Sequence, residues 1–384
     1  MPDRVYLDWN ATTPLRAEAR QALAAAWGIS GNPSSVHAEG RQARRLVEDA
    51  RATIAAGVAA HPQDVVFSSG GTEANALALT PGLRRGAGQP VQRLLMSAIE
   101  HASVLSGGRF PAEAIATIKV TGSGLLDLDH LHGLLADGLP ALVSVMSANN
   151  ETGAIQPVAE VAAIVHQAGA LLHVDAIQAF GKIPFDIKSM RADLVTLSAH
   201  KIGGPKGVGA LVLAEDMQGL EPLLRGGGQE LGRRAGTENV AGIAAFGAAT
   251  RAAMAALQDD ADRLQGLQNR LEAGLKQTPG VIVFSQDAPR LPNTTLFTVP
   301  GMRAETAVIG FDLGGIAVSS GSACSSGKVQ PSHVLDAMGF GKELAQGAVR
   351  LSLGWSTTEA DIDRALEAWR KLADGLLRGR RNTA

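Results

Sequence analysis

The chain predicts an α/β fold: a mostly parallel sheet with helices on both faces, followed by a smaller α+β unit. Three observations carry this. Between residues 64 and 214, short apolar runs rich in Val, Leu and Ile alternate with segments whose apolar residues recur at three and four. The runs are apolar throughout, as expected of strands covered on both faces. Beyond a long Ala/Leu stretch at 240–278 the alternation stops, and strand-like segments cluster without intervening helices. At 384 residues the chain suggests two or three domains with an ample core. The expected division is a large domain over 16–255 and a small one made of 1–15 and 256–384.

In order, residues 1–15 read as an extended arm, and 16–28 and 38–60 as helices separated by the loop GISGNPSSVH. DVVFSS (64–69) is a predicted strand and TEANALAL (72–79) a helix. RLLMSA (93–98) is a strand, 102–109 a helix, AIATIKV (114–120) a strand, ALVSVMSA (141–148) a strand and 157–168 a helix. LLHVDA (171–176), DLVTLSA (193–199) and GALVLA (209–214) are strands. The stretch 240–278 is helical, with its charges concentrated after 257. Strands follow at 281–285, 294–299, 316–324 and 346–354, and an amphipathic helix closes the chain at 358–378.

Composition narrows the function classes. A net charge of −2 gives no reason to expect nucleic acid or an anionic membrane as partner. No run of about 18 apolar residues is present, so no membrane-spanning helix is expected. The N-terminal MPDRVYLDWNATTP has no apolar signal region. A single cysteine fits a reducing compartment, and a cytoplasmic location is expected.

Four segments carry chemistry. In SSGGTEANALAL (68–79) a strand ends, two glycines turn and Thr72 opens a helix, a junction suited to an anion; a plain turn and N-cap would read the same. In HVDAIQAFGK (173–182), Asp175 falls at the C-terminal end of a strand, where open α/β sheets bind ligands; a helix cap or structural ion pair is the plainer reading. In SAHKIGGPKG (198–207), Lys201 follows a strand and could serve as a Schiff-base amine or be a surface lysine. Cys324 lies in SSGSACSSGK, among small residues that suggest an accessible thiol; free cysteine is also among the most buried residue types. Anion cup, strand-end carboxylate and strand-end lysine, in that order, are what pyridoxal 5'-phosphate (PLP) requires of a protein.

The sequence resembles the cysteine desulfurases of the NifS/IscS type, in the class V aminotransferase group of fold-type I PLP enzymes. The resemblance spans nearly the whole chain, through YLDWNATTP, GNPSSVH, FSSGGTEANALAL, IEHASV, NNETG, HVDAIQ, SAHKIGGPKG, RRAGTEN, SSGSACSSGKVQPSHVL and VRLSLG. It implies that Lys201 holds the cofactor, that Asp175 pairs with the pyridine nitrogen and that Gln178 hydrogen-bonds the ring oxygen. His101 would stack on the ring and share in proton transfer. Gly71, Thr72, Ser198 and His200 would grip the phosphate, and Thr237 would reach the phosphate of a neighbouring subunit in a homodimer. Asn150 would contact cofactor and substrate, and Arg350 the carboxylate of L-cysteine. Cys324 would accept the sulfur as a persulfide and pass it to an acceptor or iron–sulfur scaffold protein. No resident metal is expected; transient contact with an iron–sulfur cluster through the Cys324 persulfide is the exception.

The sequence ends soon after the last helix, at RGRRNTA, which leaves the expected acceptor open, and ACSSGKVQPSHVL is closer to the nitrogen-fixation branch. Another class V aminotransferase or lyase, such as a selenocysteine lyase, is the nearest alternative. A thiol scaffold without catalysis is more distant. GSACSSGKV is not a phosphate loop, because five residues separate its glycines and Val329 follows Lys328.

Overall fold

In the computed structural model the described residues are 4–321 and 331–381. A seven-stranded sheet runs in the order Val65–Ser68, Gly209–Leu213, Leu194–Ser198, Leu171–Asp175, Ala141–Met146, Arg93–Ser97, Ile115–Ile118. Six strands are parallel. Gly209–Leu213 alone runs antiparallel to both of its neighbours. Residues alternate between two apolar cores. Leu172, Val174, Val195, Leu197, Val143 and Val145 face one core, and Leu171, Leu194, Leu142 and Leu211 the other. Both faces are therefore covered, which is why the strands read as unbroken apolar runs.

On the first face, Ala38–Gly57 and Val240–Ala255 pack against each other. Their approach is close: a Cβ on Gly247 would stand 2.8 Å from the Cα of Ala50. The register sets Asp175 opposite Met146 and Thr196, so the parallel strands end at one level.

A second, antiparallel sheet has the order Ile282–Val283, Thr294–Thr298, Val349–Ser352, Ser319–Ser320. Its core joins Leu264, Leu271, Phe297, Phe311 and Trp369 with Val5 and Leu7 of the N-terminal arm. Trp369 is fully buried, and its ring stands edge-on to Phe297 at 4.9 Å. Val5–Tyr6 pairs in parallel with Ile316–Ala317.

Several expected elements take another form. The stretch 240–278 is two helices, Val240–Ala255 and Leu257–Leu275, bent by 68°. The bend falls where the buried, all-round apolar surface gives way to a charged face. The expected strand 316–324 is two short strands with different partners, Ile316–Ala317 on the arm and Ser319–Ser320 on Val349–Ser352. Its remainder, Cys324 included, lies outside the described residues. Leu128–Leu135 and Ala304–Leu313 are helices that periodicity did not show. Among the described residues, no single helix is long and apolar enough to cross a membrane.

Candidate active site

At the C-terminal ends of the parallel strands lies a cavity of about 360 Å³. It is lined by Gly71, Thr72, His101, Asn150, Asp175, Gln178, Ser198, His200, Lys201 and Arg350, together with Asn10, Ala11 and Ser103. These residues come from segments up to 340 positions apart in sequence. Five of the six parallel strands, all but the edge strand Ile115–Ile118, contribute what ends or follows them, as open α/β sheets do. A larger hollow, about 500 Å³, lies at the opposite strand ends. Of its lining residues, His61 pairs with Glu215, and Arg85 with the buried Asp193 behind the wall.

The cavity has an anionic and a cationic side. Asp175 ends its strand buried. Its Oδ1 accepts from the Ile177 N–H at 2.9 Å and its Oδ2 from Asn75 Nδ2 at 2.9 Å. Burial pushes the Asp175 carboxyl above its ordinary value, against the pull of these donors. Lys201, one strand over, donates from Nζ to the carbonyls of Asn10 at 2.5 Å and Ala11 at 2.8 Å. His200 accepts or donates at Thr12 Oγ1, 3.1 Å from Nδ1. Burial, then the nearby Lys201 and Lys206, lower His200 to about 4, so its ring is neutral at physiological pH.

Arg350 is 2% exposed. Its Nη2 donates to Asp8 Oδ1 at 2.8 Å and its Nη1 to the Asn150 carbonyl at 2.9 Å. The guanidinium is thus fixed in orientation, and its buried Nε has no partner. Gln178 is fixed too: Lys182 Nζ donates to its Oε1 at 2.6 Å, and its own Nε2 donates to the Asn10 carbonyl at 3.0 Å. An ammonium can only donate, so the amide of Gln178 has one possible orientation.

Two expected residues are elsewhere. Thr237 is exposed and does not line the cavity. Cys324 lies outside the described residues; Gly321 and Ser332, described on either side of it, both stand against Glu151. Ser332 Oγ donates to Glu151 Oε2 at 2.5 Å. A Cβ on Gly321 would stand 3.1 Å from the same oxygen. Glu151 follows Asn150 of the cavity wall.

Sequence reasoning missed Asn10, Ser103 and Lys182. Asn10 is 1% exposed and touches both lysines and, through Thr294, the second sheet. A signal existed, since Asn10 interrupts an arm that is otherwise anchored by apolar and aromatic residues. Lys182 was visible as a lysine inside HVDAIQAFGK. Burial, reinforced by Lys201 and Arg350, holds its ammonium well below the ordinary value.

A covered, mostly parallel sheet with an aspartate and a lysine at the ends of adjacent strands defines the fold-type I class of PLP-dependent transferases. The comparisons with known proteins are specific. The Aminotransferase class-V family profile matches residues 5–365. A cysteine desulfurase of Cereibacter sphaeroides is 44% identical over 382 residues, covering 97% of each chain. The cysteine desulfurase IscS of Dictyoglomus turgidum is 37% identical, covering 98% of this chain and 96% of its own. The solved NifS-like protein of Rickettsia africae superposes with a TM-score of 0.87 at 38% identity, over 97% of this chain and 99% of its own. A solved SspA in complex with cysteine superposes at 0.76 and 28% identity, over 91% and 99%. The chain belongs to the Aminotransferase class-V family, whose enzymes depend on PLP.

The residues present fit that cofactor. The helix Gly71–Ala78 begins at the cavity with no side chain capping it. Beside it the buried Ser198 hydroxyl has no hydrogen-bond partner. Both suit a phosphate. A Cβ on Gly71 would meet the tip of the Ile177 side chain at 2.3 Å and force it aside, toward the cavity it lines. Asp175 is a buried carboxylate facing the cavity, and a pyridinium nitrogen is the cation that would stabilise it.

Proposed function

We propose that this protein is a PLP-dependent cysteine desulfurase. It takes sulfur from L-cysteine, releases L-alanine, and carries the sulfur as a persulfide on Cys324 to an acceptor protein. The observation that supports this most is the single cavity that gathers Lys201, Asp175, His101 and Arg350. Relatives bearing the desulfurase name at 37–44% identity support the substrate.

The cofactor, when bound, supplies an electron sink joined to the substrate amine. The chain's own residues divide the remaining work. Lys201 would offer the attachment amine and the base for the α-proton. Asp175 holds the ring nitrogen protonated, and Gln178 donates to the ring oxygen. Gly71, Thr72, Ser198 and neutral His200 hold the phosphate. His101, on the cavity wall, would cover the ring and hand on protons. Arg350 and Asn150 orient the substrate carboxylate by paired donors. Cys324, as thiolate, attacks the substrate sulfur.

We further propose a homodimer in which Thr237 serves the neighbour's phosphate. Exposed Trp27, Val36, Leu224 and Leu231 on the same chain favour a covered face. The division into 16–255, and 1–15 with 256–384, is supported by the separate core that includes Val5, Leu7 and Trp369. An iron–sulfur scaffold is the proposed acceptor, and the cytoplasm the proposed location.

The test is alanine and sulfide release from L-cysteine, with a reductant, by the protein and its Cys324→Ala variant. Equal amounts of both products, lost in the variant, are expected. A yellow protein that makes no alanine would overturn the substrate and leave the cofactor. Light scattering in solution checks the dimer.

A further inference from the structure

A continuous chain of hydrogen bonds, buried except at its His101–Ser103 end, runs behind the cavity, and the chemistry of its ends orders the donors in it. Ser103 N–H donates to His101 Nδ1 at 3.1 Å, so Nδ1 carries no proton. Ser103 Oγ, 2.8 Å from the same nitrogen, must then donate to it. Having given its proton away, that hydroxyl accepts from Asn75 Nδ2 at 2.9 Å. The same Nδ2 donates to Asp175 Oδ2 at 2.9 Å. A carboxylate can only accept, so the nitrogen of Asn75 and not its oxygen faces Asp175.

The other end agrees. Asn75 Oδ1 takes a proton from Thr196 Oγ1 at 2.6 Å. Thr196 therefore accepts from His173 Nε2 at 3.2 Å, and His173 Nδ1 accepts from Ser144 Oγ at 2.8 Å. Ser144, His173, Thr196 and Asn75 are all fully buried. Burial lowers His173 to about 3, so the ring stays neutral and the order of donors does not reverse. In such a network each bond polarises the next, and an unpaired member is costly.

We propose that Asn75 is a positioning residue that, through one NH2 group, holds the Asp175 carboxylate and the Ser103–His101 pair together. It is a double donor whose orientation is set from behind by Thr196. Its importance to the cofactor rests on the desulfurase reading above. Its effect on Asp175 and His101 does not.

The experiment compares Asn75→Asp with Asn75→Ala. Aspartate has the shape of asparagine and none of its donors, and it sets a second carboxylate against Asp175. A donor role predicts that Asn75→Asp raises the Kd for PLP by tenfold or more, and by more than Asn75→Ala does. A packing role predicts the reverse order, with Asn75→Asp near wild type, and that result overturns the proposal. A second readout needs no cofactor: the ¹⁵N shift of His101 Nδ1 in the apoprotein, assigned with His101→Gln. It should move in both variants as the Ser103 hydroxyl is released. An unmoved shift also overturns the proposal. Should Asn75→Asp not fold, Thr196→Val removes only the hydroxyl that orients the amide. It should raise the Kd by several-fold, and an unchanged Kd is a failure. If the wild-type chain binds no PLP while the His101 shift responds to Asn75, the network stands and the cofactor reading falls.

Discussion

His101 was legible in IEHASV, but its neighbour Glu100 carries a property no motif discloses. Glu100 is fully buried; its Oε1 accepts from the Met146 N–H at 2.7 Å, while its Oε2 has no partner. Burial, and then the charge of Asp175, hold its carboxyl well above the ordinary 4.5, with only the Met146 bond opposing them. The unfolded chain ionises this group near 4.5, whereas the fold resists. The native state therefore binds the extra proton, and stability falls as pH rises from the unfolded value through the folded one. Glutamine mimics the protonated form and does not ionise. Glu100→Gln should leave apoprotein stability near wild type at pH 4 and raise it at pH 8, by roughly 1–3 kcal/mol. Thermal unfolding at the two pH values checks this. An equal effect at both would show that Glu100 is not titrating. Its ionisation depends on Met146 and Asp175, contacts that only the folded chain creates.

At the scale of elements, the parallel strands were readable because both their faces are buried. LLHVD and LVTLS admit no other period. Helices were less readable where they were short. Leu128–Leu135 is started by Asp127, whose Oδ1 accepts from the His130 N–H at 2.9 Å, a cap visible in LDLDHLHGLL. Eight residues interrupted by histidine and glycine give too few turns for periodicity to register. The turn at 228–233 was not readable at all. Glu230 and Leu231 both take left-handed backbone, with φ of 50° and 57°, a conformation disfavoured for such side chains. What holds them is a buried pair: Arg51 Nη1 and Nη2 each donate to the Glu230 carboxylate at 2.8 Å, and Phe67 N–H adds a third bond at 2.9 Å. Removing one partner strands a buried charge. Arg51→Met should destabilise by about 3–5 kcal/mol. If the exposed Leu231 and Thr237 meet a second copy, it should also weaken the dimer. Denaturation and light scattering read the two effects separately. A stable variant would show that the pair does not restrain the turn.

For the whole molecule, the question is what ties the two sheets to one cavity. The arm does, and Asn10 is its hub. Its carbonyl accepts from Lys201 and Gln178. Its Nδ2 donates to Thr294 Oγ1 at 2.8 Å in the second sheet and to the Asn150 carbonyl at 3.2 Å in the cavity wall. Its Oδ1 accepts from Lys182 at 2.8 Å and Asn293 at 3.1 Å. The sequence could place Lys201 and Asp175 by their strands, but not a residue whose partners are 140 to 342 positions away. The arm looked like an extension because, beyond a local turn at Asp8–Thr12, its backbone bonds go to distant residues such as Ala317, Ser352 and His200. Lys182 makes the hub testable. Its buried ammonium has two oxygens within reach, Asn10 Oδ1 and Gln178 Oε1. Asn10→Ala deletes one and leaves a poorly solvated cation. Lys182→Met removes that cation together with its need. Each single change should destabilise, by about 1–3 kcal/mol. If Asn10 acts by solvating Lys182, the double variant should cost less than the sum of the singles, by about 0.5–3 kcal/mol. Strict additivity would mean that the hub acts through Thr294, Asn150 and Asn293 and not through Lys182. A large coupling would mean that the arm braces the cavity wall by solvating the second lysine beside the first.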